Sequence, residues 1–471
     1  MNETVKFSSD ELETLVSESG GKRLGNTSSR FTAENVCTDT RTMTANCLFL
    51  AFSGEKYDAH DFLENIADNH PAAICINMDK TDRLNRIPEN IPVFAVPSTL
   101  QFYQRLAKFH RMRFPCLRLL ALTGSCGKTS TKEAVRAILE YTYGKDCVLA
   151  TEGNTNNQFG VPKNLLRLHS GHKTGILEMG TNHHGEIEPL ADCVQPESSM
   201  IVSIGNCHLE FLGSLEGVAR EKSHIFKFLP ASGTAVIPRE AVGFDIMKQA
   251  AGSHRIVTFG TTADADFQAR YSGGNLYGSS FALTKKSTGE SAVVQWHIPG
   301  AHQACNAAGA AALADTLGIP FDKIAAGLAN TTLPGMRMRI AEHAGATWIN
   351  DAYNANPDSM KASLQWLSEF AEAEKLVLAL GDMGELGTGS GEGHRSVLST
   401  AARLFPKARI ITVGAKMKVA AAELDLKTTV SFDTSADAAA RFHEFIKPGD
   451  TIFLKASRST GMEKIEPENG L

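Results

Sequence analysis

Short, nearly continuous apolar runs recur along the chain: CLFLAF (47–52), LRLLALTG (117–124), KTGILEMG (173–180), SSMIVSIG (198–205), TWIND (347–351), KLVLALGD (375–382), ARIITVG (408–414) and DTIFLKAS (450–457). Runs of this length bounded by turn residues predict buried strands. Between them lie stretches with helical spacing. In STKEAVRAILEYTYG (130–144) the residues Val135, Ile138, Leu139 and Thr142 share one face, and Gly144 suits a helix C-terminus. GVAREKSHIFKFL (217–229) and the small-residue stretch AHQACNAAGAAALA (301–314) also read as helices, and a shorter helical stretch lies around residues 61–69. Strands alternating with helices predict parallel α/β sheets, most clearly in the last third of the chain. The basic, proline-ended segment 109–115 suits a linker, and TTLPGMRMRI (331–340) marks a second break. Three α/β domains are therefore expected at about 1–113, 114–333 and 334–471.

Composition narrows the class. The chain has 471 residues, 42% hydrophobic and 21% charged, with a net charge of −5. That excludes a disordered or fibrous chain and argues against nucleic-acid binding by bulk charge. The nine cysteines form no CxxC and are odd in number, as expected of free thiols in a reducing compartment. The N-terminal segment MNETVKFSSDELETL is acidic, unlike a signal or transit peptide, and the longest uncharged stretch, 291–314, is too polar to span a membrane. A cytoplasmic protein without membrane insertion is expected.

The most informative segment is Thr123-Gly124-Ser125-Cys126-Gly127-Lys128-Thr129-Ser130, between a predicted buried strand and a predicted helix. Glycines let backbone N–H groups turn toward an anion, and the helix N-terminus adds a favourable dipole. Lys128 is placed to reach β- and γ-phosphates, and the Thr129 hydroxyl to ligate Mg²⁺. The loop has the short GxxGK[ST] form, with Leu122 where the longer form begins with glycine.

Further candidates lie where strands end. Glu178 closes the strand of GILEMG, and His208 follows SSMIVSIG by three residues. Both fall at the edge where open α/β sheets bind ligands, so they are candidates to complete a Mg²⁺ shell, although strand-end hydrogen bonding is an equally ordinary role. The histidines and cysteines of this region (His183, His184, Cys193, Cys207, His208) match no zinc spacing. In EGNTNNQFGVP (152–162), Asn154, Asn156 and Asn157 suit sugar, peptide or phosphate contacts, or a plain turn. His302 and Asn306 share a helix face. Arg337 precedes NDAYNANPDSM (350–360), which holds Asp351, Tyr353, Asn354 and Asn356. Lys455, Ser457 and Arg458 form a candidate carboxylate site in LKASRSTGME (454–463).

Together these segments resemble the Mur ligase family, the ATP-dependent enzymes that build the peptide of the bacterial cell wall. The resemblance rests on the short phosphate loop TGSCGKTSTKE with GNTNNQFGVP, LEMGTNHHGEIEPLADCVQP, IGNCHLEFLGSLEGVAREK, NDAYNANPDSM, LALGDMGELG and LKASRSTGME. CTDTRTMTANCLFLAFSGEKYDAHDF (37–62) is similar to the family's N-terminal block. It implies three domains: an N-terminal UDP-substrate domain, a central P-loop ATPase domain and a C-terminal Rossmann-like domain. Within the family the blocks look most like the branch that adds D-alanyl-D-alanine to UDP-N-acetylmuramoyl-tripeptide, through an acyl phosphate formed from ATP. LGDMGELG stands where the diaminopimelate-adding branch typically carries DNPR. An ATP-driven switch protein is the alternative from another class.

The resemblance also implies residue roles. Gly124 to Ser130, Asn306, Arg337, Asp351 and Tyr353 would bind ATP. Thr129, Glu178 and His208 would hold Mg²⁺. Lys222 matches the position of a carbamylated lysine able to bind a second Mg²⁺. Lys128, Glu178, His208, Lys222 and Arg337 would form the catalytic set. Asp39, Thr40, Arg41, Asn156, Asn157, Lys455 and Arg458 would contact the UDP-substrate or the dipeptide. A monomer that closes around its ligands is expected. Cys126, Thr155, Phe159, Lys163 and Asn164 depart from the commoner pattern and bear on the fine fit of substrate.

Overall fold

The structure, a computed structural model, describes residues 5–24, 30–54, 56–335, 337–426 and 429–467. The first four residues of the acidic N-terminal segment, and Met336 of the break near 331–340, lie outside the described residues. Three large sheets and one short antiparallel pair, Phe7–Ser8 with Thr32–Ala33, organise the described residues. The first has five strands in the order Lys22–Leu24, Val93–Val96, Ala73–Asn77, Cys47–Leu50, Asn35–Cys37, parallel except for the first.

The second sheet has nine strands and holds the phosphate loop. Arg118–Thr123 lies between Thr174–Glu178 and Ser198–Ile201, parallel to both. After Arg118–Thr123 the chain crosses to the Val148–Ala150 edge, returns as Thr174–Glu178, then passes to the other side as Ser198–Ile201. That reversal opens a crevice at the carboxyl ends of the three strands. Both faces of the sheet are covered, which is why its strands read as continuous apolar runs. Leu120 and Leu122 pack under the helices Lys128–Tyr143, Ala301–Asp315 and Phe321–Ala329; Leu119 and Ala121 face Ile187–Val194 and Phe244–Ala251. The small residues of Ala301–Asp315 bring that helix close to the sheet: a Cβ on Gly309 would sit 2.2 Å from Met200 Cε. The predicted face of Lys128–Tyr143 is buried at Val135, Ile138 and Leu139. Thr142 instead bonds its own helix, Oγ1 donating to Ile138 O at 2.8 Å.

The far side of this sheet differs from the parallel expectation. Phe267–Asn275, Gly278–Lys285 and Glu290–Trp296 form an antiparallel meander with a register shift between Tyr271 and Gly273. These strands have one face toward solvent, so they lack the long apolar runs that mark the others.

The third sheet has six strands in the order Arg339–His343, Ala346–Asn350, Thr451–Lys455, Leu376–Gly381, Arg409–Val413, Val430–Phe432. It is parallel except for its first pair, a hairpin that the reading of a uniformly parallel sheet did not include. The 109–115 segment read as a linker is the last turn of the helix Thr99–Met112 and the turn after it. Buried Arg111 pins it to the second sheet's layer, donating to Val194 O, Phe114 O and Leu117 O at 3.3, 2.8 and 2.9 Å. No helix among the described residues is long and apolar enough to cross a membrane.

Candidate active site

A cleft of about 780 Å³ lies between the phosphate loop and the third sheet. It gathers Ser125 to Ser130, Asn156, Asn157, Glu178, His208, Asn306, Arg337, Asp351, Tyr353 and Lys455 from segments far apart in the chain. Of the expected site residues, Gly124, Lys222 and Arg458 do not line the cleft, and Asp39, Thr40 and Arg41 lie elsewhere, on the five-stranded sheet's domain. There Arg41 grips Asp39 through Nε at 2.9 Å and Nη2 at 2.6 Å. Those bonds, with the Arg41 N–H and a smaller contribution from the Lys163 charge, hold the Asp39 carboxyl at about 2.

The loop between Thr123 and Lys128 is braced on two sides. Ser125 N donates to Ser203 O and Cys126 N to Ser203 Oγ, both at 2.9 Å, and Ser203 Oγ returns a bond to Cys126 O. Ser125 Oγ and the Gly205 backbone lie within 2.9–3.2 Å. The Cys126 N–H is thus spent on Ser203, contrary to the expectation that it serves an anion. The leading N–H groups of the first turn of Lys128–Tyr143 have no carbonyl partner in the helix, an arrangement that suits an anion. Gly127 caps that helix at φ +77°, and a side chain there would strike Asn306. Lys128 folds back on the loop, Nζ donating to Gly124 O at 2.7 Å.

Glu178 is the centre of the acidic half. Its Oε1 accepts from Asn156 Nδ2 at 2.8 Å and lies 3.4 Å from Thr129 Oγ1, while its N–H donates to Thr151 Oγ1 at 2.9 Å. Its other oxygen, Oε2, is buried with no partner. Leaving a buried carboxylate oxygen unpaired is costly unless a cation completes it. An oxygen pair beside a threonine hydroxyl, at the phosphate end of the cleft, fits a hard divalent ion such as Mg²⁺. Among the described residues no three His, Cys, Asp or Glu side chains group into a ready cage. Phosphate and water oxygens would have to complete a shell begun by Thr129 and Glu178. His208, expected in that set, lies with Nδ1 2.6 Å from Glu385 Oε2 in the GELG loop of the third domain.

Lys222 lies on Leu215–Ser223 at 1% exposure, and burial pushes its amine down to about 8. Its neighbour Glu221 is also buried. Its carboxylate accepts from the N–H groups of Gly185, Glu186 and Ile187 at 2.8–3.0 Å and so caps the helix Ile187–Val194.

The Asn-rich loop does more internal bracing than expected. Asn157 Oδ1 accepts from Phe159 N and Gly160 N at 3.1 and 2.9 Å. Asn164, at first only a departure from pattern, is its buried hub. Nδ2 donates to Thr155 O, Thr155 Oγ1 and Gly160 O at 2.7–2.9 Å, and Oδ1 accepts from Glu152 N at 3.1 Å. Phe159, another departure, lays its ring 5.1 Å from Phe52 and so joins the first and second domains.

Across the cleft, Arg337 stacks 3.6 Å over the Tyr353 ring. Lys455 is 4% exposed and pairs with Asp351. Arg458 stays 58% exposed and lies 3.6 Å from Glu463. The second and third domains touch directly: Asn206 N donates to Asp358 Oδ2 at 3.0 Å, and Asn356 Nδ2 to Cys126 Sγ at 2.9 Å. Sequence reasoning passed over Ser203, Glu221 and the buried Lys132, which donates to Thr151 O at 3.1 Å. The available signal was that Thr151 directly follows a strand and Ser203 lies two residues past one, where a polar residue faces the crevice.

A sequence model of the Mur ligase middle domain matches residues 122–314, and one of the Mur ligase, glutamate ligase domain matches residues 336–458. The UDP-N-acetylmuramoyl-tripeptide–D-alanyl-D-alanine ligase of Escherichia coli (strain K12) is 34% identical over 436 residues, covering 92% of this chain and 93% of that protein. The crystal structure of MurF from Acinetobacter baumannii superposes with a TM-score of 0.88 at 30% identity, over 98% of both chains. MurF ligase from Thermotoga maritima, solved in complex with ADP, shares the fold with a TM-score of 0.79 at 23% identity, over 91% of this chain and 95% of that one.

Proposed function

Because the chain belongs to the Mur ligase family, we propose that it joins D-alanyl-D-alanine to the terminal carboxylate of UDP-N-acetylmuramoyl-tripeptide, as its relatives' names state for them. It is an ATP-dependent carbon–nitrogen ligase of peptidoglycan precursor synthesis. The observation that carries the site assignment is the Glu178 carboxylate, half satisfied by Asn156 and half unpaired, beside Thr129 at the mouth of the phosphate loop.

A carboxylate is a poor electrophile toward an amine. Transfer of the γ-phosphoryl group of ATP to the tripeptide carboxylate makes a mixed anhydride with phosphate as leaving group. The D-alanyl-D-alanine amine then adds to the acyl carbon, and the tetrahedral adduct expels phosphate to leave the amide. The protein's part is to position the groups and neutralise charge. Lys128 swings from the loop carbonyls to the phosphates, and the first turn of Lys128–Tyr143 presents its N–H groups to them. Arg337, planar on Tyr353, lies across the nucleotide side. Thr129 and Glu178, with His208 once released from Glu385, would hold Mg²⁺, which when bound neutralises the phosphate oxygens. Lys222, whose amine burial holds down at about 8, carries more free amine near neutral pH than an ordinary lysine and is suited to add CO₂ and become a carbamate, a second anionic ligand beside the cleft.

The first domain, to about residue 113, takes the UDP end of the substrate through Asp39, Thr40 and Arg41. The second, to about 333, takes ATP, and the third supplies Arg337, Asp351, Tyr353 and the 454–463 block. The chain acts as a cytoplasmic monomer. The test is phosphate release from ATP with Mg²⁺ and UDP-N-acetylmuramoyl-tripeptide, with and without D-alanyl-D-alanine, with mass spectrometry of the UDP-linked product. Dipeptide-dependent release and a product heavier by the dipeptide less one water establish the reading. Release indifferent to the dipeptide rejects it in favour of a sibling ligase with another acceptor or an ATP-driven switch.

A further inference from the structure

Lys455 ends the strand Thr451–Lys455 beside Ala346–Asn350, to which that strand is parallel. Asp351 is the first residue past the neighbouring strand, and its N–H donates to Leu454 O at 2.9 Å. The two side chains therefore leave adjacent strand ends toward the same cleft. Lys455 Nζ donates to Asp351 Oδ2 at 2.5 Å and lies 3.4 Å from Asp351 O and Asn354 O. Ser457 Oγ, two residues on, donates to Ala355 O at 3.2 Å and accepts from Gly384 N at 2.8 Å. The end of this strand thus holds the carbonyls of residues 351, 354 and 355. Tyr353, which carries the Arg337 guanidinium, sits in the middle of the segment so held.

The charge arrangement points the same way. Lys455 is 4% exposed, and the Asp351 carboxylate already neutralises it. A ligand carboxylate could recruit buried Lys455 only by stripping the largely covered Asp351 carboxylate of its counter-charge, which is unfavourable. The donor set suits a lysine that shapes a loop, not one that awaits an anion.

We propose that Lys455 is a positioning residue for the nucleotide half of the site, acting through segment 351–355 on Tyr353 and Arg337, and not a clamp for the carboxylate of the dipeptide. The inference rests on the ligase reading for its kinetic arm only. The contrast with Arg458, which remains more than half exposed in the same block, explains how one short motif serves two purposes.

The experiment uses the full chain with Lys455→Met and, separately, Ser457→Ala. ADP binding is titrated calorimetrically in the absence of peptide substrates. KM is then measured for ATP and for D-alanyl-D-alanine with UDP-N-acetylmuramoyl-tripeptide saturating. The expected result is a weakening of ADP binding and a rise in KM for ATP of about tenfold or more in Lys455→Met, and a smaller rise in Ser457→Ala, with KM for the dipeptide within about twofold of wild type. A rise in the dipeptide KM with ADP binding unchanged overturns the proposal, and so does an equal rise in both constants. If Lys455→Met fails to fold, because Asp351 loses its counter-charge and keeps only the Ser363 hydroxyl, Ser457→Ala decides by the same split. If wild type shows no dipeptide-dependent release, the ligase reading fails while the ADP titration still decides the role of Lys455.

Discussion

The carboxamide of Asn306 lies against the backbone of Gly127, so that a Cβ on Gly127 would come within 2.7 Å of Asn306 Oδ1 and 2.9 Å of Nδ2. Gly127 also has φ +77°, where an L side chain is strained. Asn306 is itself held by Gln303, Nδ2 donating to Oε1 at 2.9 Å. Gly127→Ala must therefore displace either the loop or the helix Ala301–Asp315. A shift of about 1 Å in groups that position a phosphate costs about 100-fold in kcat/KM for ATP. Steady-state turnover checks this, and Asn306→Ala in the same protein is expected to restore part of the loss by removing the clash.

Glu178→Gln should separate stability from activity. The amide keeps the Asn156 and Thr129 contacts through its oxygen and puts a neutral NH2 where the carboxylate leaves a charged oxygen buried and unpaired. The unliganded protein is expected to gain about 1 kcal/mol. Phosphate release is expected to fall about 100-fold or more, because the anionic cation ligand is gone. Thermal melting without nucleotide and turnover with it give the two readings; a variant that loses both means that Glu178 is chiefly structural.

Asn164→Leu tests the hub of the Asn-rich loop. Leucine leaves the Glu152 N–H and the Thr155 and Gly160 carbonyls without their partner in a buried site. The expected destabilisation is about 2–4 kcal/mol in urea unfolding. Faster proteolytic nicking within 152–160 should accompany it, since that loop loses its internal brace.

Stability should carry a histidine signature in mild acid. Burial, with smaller contributions from the His169 and Arg167 charges, holds His172 down at about 4, and its Nδ1 accepts the His169 N–H at 3.2 Å. Between pH 6.5 and 4 the unfolded chain binds a proton at this position that the folded chain refuses, so stability falls as pH falls through that window. His172→Asn keeps an acceptor that does not titrate. The difference in urea midpoint between the variant and wild type is expected to move in the variant's favour from pH 7 to pH 5; an unchanged difference would count against the assignment.

Much of this molecule was legible before its structure. The run 117–124, then Gly124 to Thr129, then the periodic stretch to Gly144, predicts a strand, a phosphate loop and a helix, and Arg118–Thr123 and Lys128–Tyr143 are that strand and helix. Glu178 and Lys455 were likewise placed correctly at strand ends. The meander from Phe267 to Trp296 left little trace because its strands are half solvated. The roles of the site residues were only partly legible: Asn157 caps, Asn164 organises, Cys126 N–H answers Ser203, and Lys455 answers Asp351.

The sequence by itself determined the local elements, the phosphate loop and the residue types at strand ends, because propensity, periodicity and turn chemistry act over a few neighbouring residues. Only the tertiary structure decided which polar groups meet. Asn156 reaches Glu178 across 22 positions, and Lys455 reaches Asp351 across 104. Such pairings depend on strand order and register, and a buried polar atom takes whichever partner the packed fold brings within reach.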